Sequence, residues 1–228
     1  MAVNIVKEID DSIPINNVLV TVFNKSGLDS FIPGLIEINS GITIYSTGGT
    51  YQVIRKILGE GKGKKNLILI SDYTGQPEMQ GGLVKTLDYK IYLGLLSETY
   101  NENHKQDLMR TNAVKFDMVV VNLYPFALTI ASSDASPEQA RADIDIGGPC
   151  MIRSAAKNFL RVASVTDPAD YDKILSQLRK NSGKLSLKTR LELAKTAFAH
   201  TATYDSTIAD YLASCSFEKV KSSYTVVK

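Results

Sequence analysis

Two periods of apolar residues alternate along the chain. VLVTVF at 18–23 is a run of branched and apolar side chains, followed by polar NKSG and then by the helix-period pattern of LDSFIPGL. The order repeats at once, with ITIY, then STGGT, then YQVIRKIL. Two strand-loop-helix units in succession predict an α/β fold, with a mostly parallel sheet flanked by helices. Further strands are expected at LILIS (67–71), KFDMVVVNLYPF (115–126) and RVASVTD (161–167).

Helix boundaries carry their own chemistry. In ASPEQARA, Ser136, Pro137 and Gln139 supply an N-cap, a first-turn proline and a capping-box partner. A second helix starts near Gly148-Pro149. Asp167-Pro168-Ala169-Asp170 opens the helix YDKILSQLRK, which Asn181-Ser182-Gly183 ends. The stretch SLKTRLELAKTAFAHTATYDSTIADYLAS predicts one or two helices, and SFEKVKSSYTVVK has only a weak pattern. Neither a repeat nor a low-complexity linker divides the chain.

Composition narrows the function classes. With 228 residues and 44% hydrophobic content the chain can fill a sizeable core, so it is expected to be globular and soluble. The 26 basic and 24 acidic residues leave a formal charge of +2, which predicts no nucleic-acid or membrane partner and requires any anion to be met locally. Cys150 and Cys215 form no CxxC, so a zinc cluster or disulfide framework is not expected and a reducing compartment, the cytoplasm, fits. The early acids of MAVNIVKEIDD argue against a signal peptide. His104 and His200 lie in separate segments without metal-ligand spacing, which leaves them structural roles and predicts no metal. Acid–base chemistry then falls to Asp, Lys and Tyr.

In a sheet of this kind ligands collect at the carboxyl ends of the strands, where both NKSG and STGGT lie, each leading into a helix N-terminus. Backbone N–H groups there suit an anion such as phosphate, with Lys25 adding charge and Ser26, Thr47 and Thr50 adding hydroxyls. Either loop alone serves equally well as an ordinary turn. VVVNLYPF delivers Asn122 and Tyr124 where the sheet meets solvent, unless Tyr124 merely packs its ring beside the Pro125 turn. Asp145 in DIDIGGP is a candidate acid–base group or a helix cap. Lys157, late in the next helix, is a candidate cation or a partner of the helix dipole.

Taken in order, NKSGL, STGGT, TGQPEMQGGLVKTL, VVNLYPF, DIDIGGPCMIRSAAKN, DPADY and AFAHTATYDSTIADYL resemble the inosine monophosphate cyclohydrolase domain of the bifunctional enzyme whose other half is the aminoimidazole carboxamide ribonucleotide transformylase. The resemblance covers about residues 21 to 212. It implies a methylglyoxal-synthase-like fold over 1–200 with a C-terminal helical extension and tail at 201–228, and a stand-alone cyclohydrolase. It further implies ring closure of 5-formamidoimidazole-4-carboxamide ribonucleotide to inosine monophosphate with loss of water. No cofactor is expected. The implied partners are the purine nucleotide substrate and product, a second copy of the chain in a homodimer, and a separate transformylase.

By the same resemblance Lys85, Tyr124, Asp145 and Lys157 fall on catalytic positions. The two loops, through Thr21, Asn24, Lys25, Ser26, Gly27, Thr47, Gly48, Gly49 and Thr50, would take the 5′-phosphate. Thr86 and Asn122 would line the nucleotide pocket, and the amides of Gly147 and Gly148 would assist at the oxyanion. Asp145 would take a proton from the carboxamide, with a nearby lysine keeping it ionised. The chain departs from the family at Leu83, which replaces an arginine, at Asp88-Tyr89 and Tyr92, which replace a His-Pro pair and a second histidine, and at Phe23-Asn24, which replace Ser and Asp. Loss of the arginine fork weakens anion recognition. Two rivals stand beside the enzyme: a non-catalytic nucleotide-binding domain of the same fold, and a methylglyoxal synthase, whose active-site histidine has no counterpart assigned here.

Overall fold

The structure is a computed structural model, and it describes residues 5–77, 84–132 and 135–227. In chain order the elements are β1 (Ser12–Pro14), β2 (Asn17–Val22), α1 (Leu28–Ile38), β3 (Thr43–Ser46), α2 (Gly48–Asn66), β4 (Leu67–Leu69), α3 (Ile70–Thr74), α4 (Tyr89–Leu96), α5 (Glu102–Thr111), β5 (Met118–Asn122), α6 (Phe126–Ala131), α7 (Pro137–Ala142), α8 (Gly147–Lys157), β6 (Ala163–Val165), α9 (Tyr171–Lys180), β7 (Lys184–Ser186), α10 (Leu187–Ser214) and α11 (Phe217–Lys221). No helix among the described residues is long and apolar enough to cross a membrane.

Five strands form one sheet in the order β4-β3-β2-β5-β6, each neighbouring pair parallel. β2 is central because its run NVLVTV is apolar on both faces, as a strand covered on two sides must be. Successive residues point to opposite faces. Val18, Val20 and Val22 join α1, α2 and α9 through Phe31, Ile54 and Leu175. Leu19 joins the second core with α4, α8 and α10 through Leu95, Ile152 and Ala197. The chain runs outward from β2 to β3 and β4, then returns to β5 on the other side of β2. The topological switch point, the usual ligand crevice of such sheets, therefore lies between the carboxyl ends of β2 and β5, where Val22 is paired with Asn122.

Several elements differ from the sequence pattern for local reasons. The strand expected at 115–126 is β5 alone, because Tyr124 and Pro125 already turn the chain into α6. β4 stops at Leu69 because Ile70 begins a helical turn. α2 extends well beyond YQVIRKIL but is interrupted at Gly59, whose φ of 67° is not helical. The predicted capping box of α7 is formed on both sides. The C-terminal pattern makes one 28-residue helix, α10, so residue 200 falls inside a continuous element. The weakly patterned tail contains α11, N-capped by Ser216. The short antiparallel pair of β1 with β7 carries no sequence signal long enough to recognise.

Two buried arginines tie these layers together. Arg190 of α10 is fully buried. Its guanidinium donates to the carbonyls of Phe159, Leu160, Asp10, Asp11 and Leu185 at 2.6–3.2 Å. One side chain thereby closes the N-terminal segment, the approach to β6 and the end of β7. Arg161 does the same on the other core, donating to Ser97, Phe116 and Gly94 and facing Asp117 at 3.7 Å. Asp117 in turn accepts from the amides of Asn16 and Asn17, each at 2.9 Å, at the start of β2. Burial lowers the pKa of Arg161 to about 10, with Asp117 opposing the shift.

Replacing Arg190 by Ala removes the donor to the buried Leu185 carbonyl and to the half-buried carbonyls of Phe159, Leu160 and Asp10, each costing about 1–3 kcal/mol if unmet. Urea unfolding of Arg190→Ala should show a loss of at least about 3 kcal/mol, and Arg190→Lys should recover only part of it because an ammonium cannot reproduce the planar fork. Native-like unfolding midpoints for both variants would contradict this role.

Candidate active site

A cavity of about 410 Å³ opens at the switch point. Its walls come from the ends of β2 and β5, the first turns of α2 and α8, and residues 85–87. Two helix N-termini therefore address one space, each presenting amides that have no partner within their own helix.

At the α2 pole Thr47 is the N-cap, but its side chain makes no capping bond. Its hydroxyl instead lies 2.8 Å from that of Thr21. Thr50 is already occupied: its hydroxyl accepts from the Val22 amide at 3.2 Å and donates to the Val22 carbonyl at 3.1 Å. It clamps the end of β2 to α2, so its part in anion binding is chiefly to place the amides. The Lys25 ammonium donates to the carbonyls of Val22 and Phe23, each at 3.1 Å, and lines the cavity. Gly48 has φ of 35°, and a Cβ there would come within 3.4 Å of Lys85 Nζ. The Lys85 ammonium thus sits over the first turn of α2, where it and the amides suit a phosphate.

At the α8 pole the Asp145 carboxylate accepts from the Gly148 amide at 2.9 Å. The Asp145 amide donates to Tyr204 Oη at 2.8 Å, and Tyr204 Oη donates to the Asp143 carbonyl. Thr129 fixes the Asp143 carboxylate with a 2.7 Å bond. The glycines here are needed for space: a Cβ on Gly147 would meet Thr86 Oγ1 at 2.5 Å, and one on Gly148 would meet Asp145 Oδ2 at 2.4 Å. Burial pushes the Asp145 pKa above its ordinary value of 3.8, and the Gly148 N–H opposes that rise. The counterweight is thus a backbone amide rather than the lysine the sequence led us to expect. Beneath the site, burial also drives the Tyr92 phenol pKa upward, with Cys150 and Asp145 adding to it.

The structure brings Lys85, Tyr124 and Asp145 to the cavity, with Thr21, Lys25, Thr47, Gly48, Gly49, Thr50, Thr86, Asn122, Gly147 and Gly148. Asn24, Ser26 and Gly27 are not on its wall. Asn24 and Asn122 exchange hydrogen bonds at 2.8 and 3.0 Å, and Asn24 Oδ1 accepts from the Ser26 amide, so these residues shape the loop. Lys157 does not reach the cavity either. It is exposed at the last position of the 11-residue α8, about 15 Å along the axis from the first turn at 1.5 Å per residue. Asp88 caps α4 by accepting from the Lys90 amide at 2.8 Å. Leu83 lies outside the described residues. Neither histidine lines the cavity: His104 Nδ1 accepts from the Glu98 amide, and His200 belongs to α10. Sequence reasoning missed Asp143, whose only signal was its i, i+2 spacing from Asp145, and the apolar wall of Leu87, Ile144 and Met151. No group of three or more His, Cys, Asp or Glu among the described residues is placed to hold a metal ion.

Two families match this chain. The MGS-like domain family matches residues 28–150, and the AICARFT/IMPCHase bienzyme family matches residues 155–227. The chain is similar to the bifunctional purine biosynthesis protein PurH of Bacillus subtilis, 42% identical over 212 residues that make 93% of this chain and 40% of that protein. With PurH of Magnetococcus marinus it shares 42% over 198 residues, 87% of this chain and 36% of that protein. With that of Bacillus cytotoxicus it shares 46% over 194 residues, 85% of this chain and 36% of that protein. The chain thus spans about two fifths of the length of these relatives. Among solved structures it is similar to ForH, with a TM-score of 0.71, 30% identity, and coverage of 86% of this chain and 97% of that one.

The raised pKa of Asp145 makes its ionisation a cost of folding. A carboxyl whose folded pKa lies above its unfolded value contributes stability that is full below the unfolded pKa and is lost as pH rises through the folded one. Asp145→Asn keeps the acceptor for Gly148 without the charge. The variant should therefore be as stable as the native chain or more stable at pH 7, with the difference closing below about pH 4. Urea unfolding at the two pH values checks this; a variant less stable at pH 7 would contradict the burial argument.

Proposed function

The chain belongs to the MGS-like, AICARFT/IMPCHase family of purine-biosynthesis proteins, and we propose that its cavity closes the six-membered ring of 5-formamidoimidazole-4-carboxamide ribonucleotide to give inosine monophosphate. One observation carries the proposal: Lys85, Tyr124 and Asp145 line one cavity whose two poles are helix N-termini. The α2 pole, with Lys25 and Lys85, suits the 5′-phosphate. The α8 pole, with Asp145 and the Gly147 amide, suits the reacting centre.

The substrate holds both reacting groups on one imidazole, so much of the proximity is built into it. The carboxamide nitrogen attacks the formyl carbon, forming the new C–N bond, and gives one of its two protons to Asp145. The formyl oxygen becomes an alkoxide, stabilised by Lys85, the Tyr124 hydroxyl and the helix-start amides. After that oxygen is protonated it leaves as water with a second proton, while the formamido nitrogen loses its own and forms the ring C=N bond. Burial suits Asp145 to the first step, since a raised pKa makes the carboxylate a stronger base.

The remote position of Lys157 favours a second reading, a nucleotide-binding domain without turnover. Incubating the purified protein with the formamido nucleotide, with and without chelator, and following inosine monophosphate formation separates the two. Turnover that chelator leaves unchanged is the expected result; binding of inosine monophosphate without turnover is the outcome of the second reading. At saturating substrate, Lys85→Met should lower kcat by about 10²-fold or more, the scale of one lost oxyanion donor. A near-native kcat with a raised KM would return Lys85 to phosphate binding alone.

A further inference from the structure

The cavity carries aromatic and apolar faces that the mechanism above, which draws only on the hydroxyl of Tyr124, leaves without a role. Phe23 follows β2 and Tyr124 follows β5, the two strands that flank the switch point. Their rings are tilted partners with centroids 5.0 Å apart and an interplanar angle of 52°. Each also keeps a large free surface, Phe23 being 46% and Tyr124 52% exposed. Ile146, on the same cavity wall, is 56% exposed. Surface aromatics scattered singly need no explanation, but two paired rings and an isoleucine exposed along a cavity that also has an apolar wall of Leu87, Ile144 and Met151 form an apolar surface of the kind that marks a binding site.

The loop holding Phe23 is built rather than free. The Phe23 amide donates to the Asn122 carbonyl, the Asn24–Asn122 exchange locks the following residue, and Lys25 donates to the Phe23 carbonyl. The backbone under the ring is therefore fixed to both flanking strands. With its backbone fixed and Tyr124 beside it, the ring can receive a planar ligand at a lower ordering cost than a side chain on a mobile loop.

We propose that Phe23, with Tyr124, is the face on which the heteroaromatic ring of the nucleotide stacks, which makes Phe23 a specificity-determining residue for ligands that carry a base. The proposal rests on the nucleotide reading of this cavity. It differs from phosphate recognition at α2 because the aromatic face contributes nothing to a ligand that has the phosphate but no base.

Calorimetric titration of inosine monophosphate and of ribose 5-phosphate into the native chain, Phe23→Ala and Phe23→Tyr tests it, with urea unfolding confirming that the variants fold. Phe23→Ala should raise the Kd for inosine monophosphate about 5- to 150-fold, the range of one base–aromatic stack. It should leave the Kd for ribose 5-phosphate within about twofold, and Phe23→Tyr should stay close to native for both because the π-face is kept. An unchanged Kd for inosine monophosphate in Phe23→Ala, or an equal loss for both ligands, overturns the proposal. A native chain that binds neither ligand overturns the stacking face and the cyclohydrolase together. Native binding of inosine monophosphate without turnover overturns only the cyclohydrolase, and the stacking face is still decided by Phe23→Ala.

Discussion

A central parallel strand must be hydrogen-bonded on both sides and covered on both faces, and β2 meets that demand with β3, β5 and the two apolar cores. The remaining architecture follows from it. Parallel partners need helical crossovers, so every strand end on one edge leads into a loop and usually a helix start. The reversal of strand order at β2 and β5 then leaves a crevice on that edge. The site is a consequence of how the sheet is wound, and the residues lining it arrive from segments as distant in sequence as Thr21 and Gly148 because the sheet gathers their strand ends.

Holding such an edge open has costs that the rest of the molecule offsets. Asp145 is half-buried where its charge is disfavoured, and its compensation is a single amide bond from Gly148. The loop that carries it is pinned from outside by Tyr204 of α10, a helix that also brings Arg190 to five carbonyls of the N-terminal and β6–β7 segments. Charged donors satisfying several carbonyls at once are strong anchors, and they allow irregular chain to pack inside the protein without unmet polar groups. α10 therefore links the stability of the scaffold to the position of the candidate base, and it runs without a break through residue 200, where the resemblance implied a boundary.

The sheet, its helices and the two glycine loops were legible because each rests on local pattern: period-2 or fully apolar strands, capping residues and turn glycines. Tyr124 and Asp145 were legible as candidates at a strand end and before a glycine helix start, while Lys85 was legible through the order of seven segments shared with a known family. What escaped depends on contacts distant in sequence. Arg161 and Arg190 look like ordinary polar positions until the carbonyls they meet are folded around them. Thr50 looks like a free hydroxyl until Val22 closes on it. Asn24 and Ser26 resemble ligands by position in a loop but turn out to brace it. Lys157 was a candidate cation or a partner of the helix dipole, its catalytic position came from the resemblance, and helix geometry puts it at the far end of α8 from the cavity.

The two-pole arrangement of the cavity is tested most directly by a crystal structure with inosine monophosphate bound. The expected result is a phosphate on the amides of Gly48, Gly49 and Thr50 beside Lys25 and Lys85, with the purine reaching Tyr124 and its six-membered ring beside Asp145 and the first turn of α8. A nucleotide bound outside this cavity, or one with its phosphate at α8 and its base at α2, would contradict it.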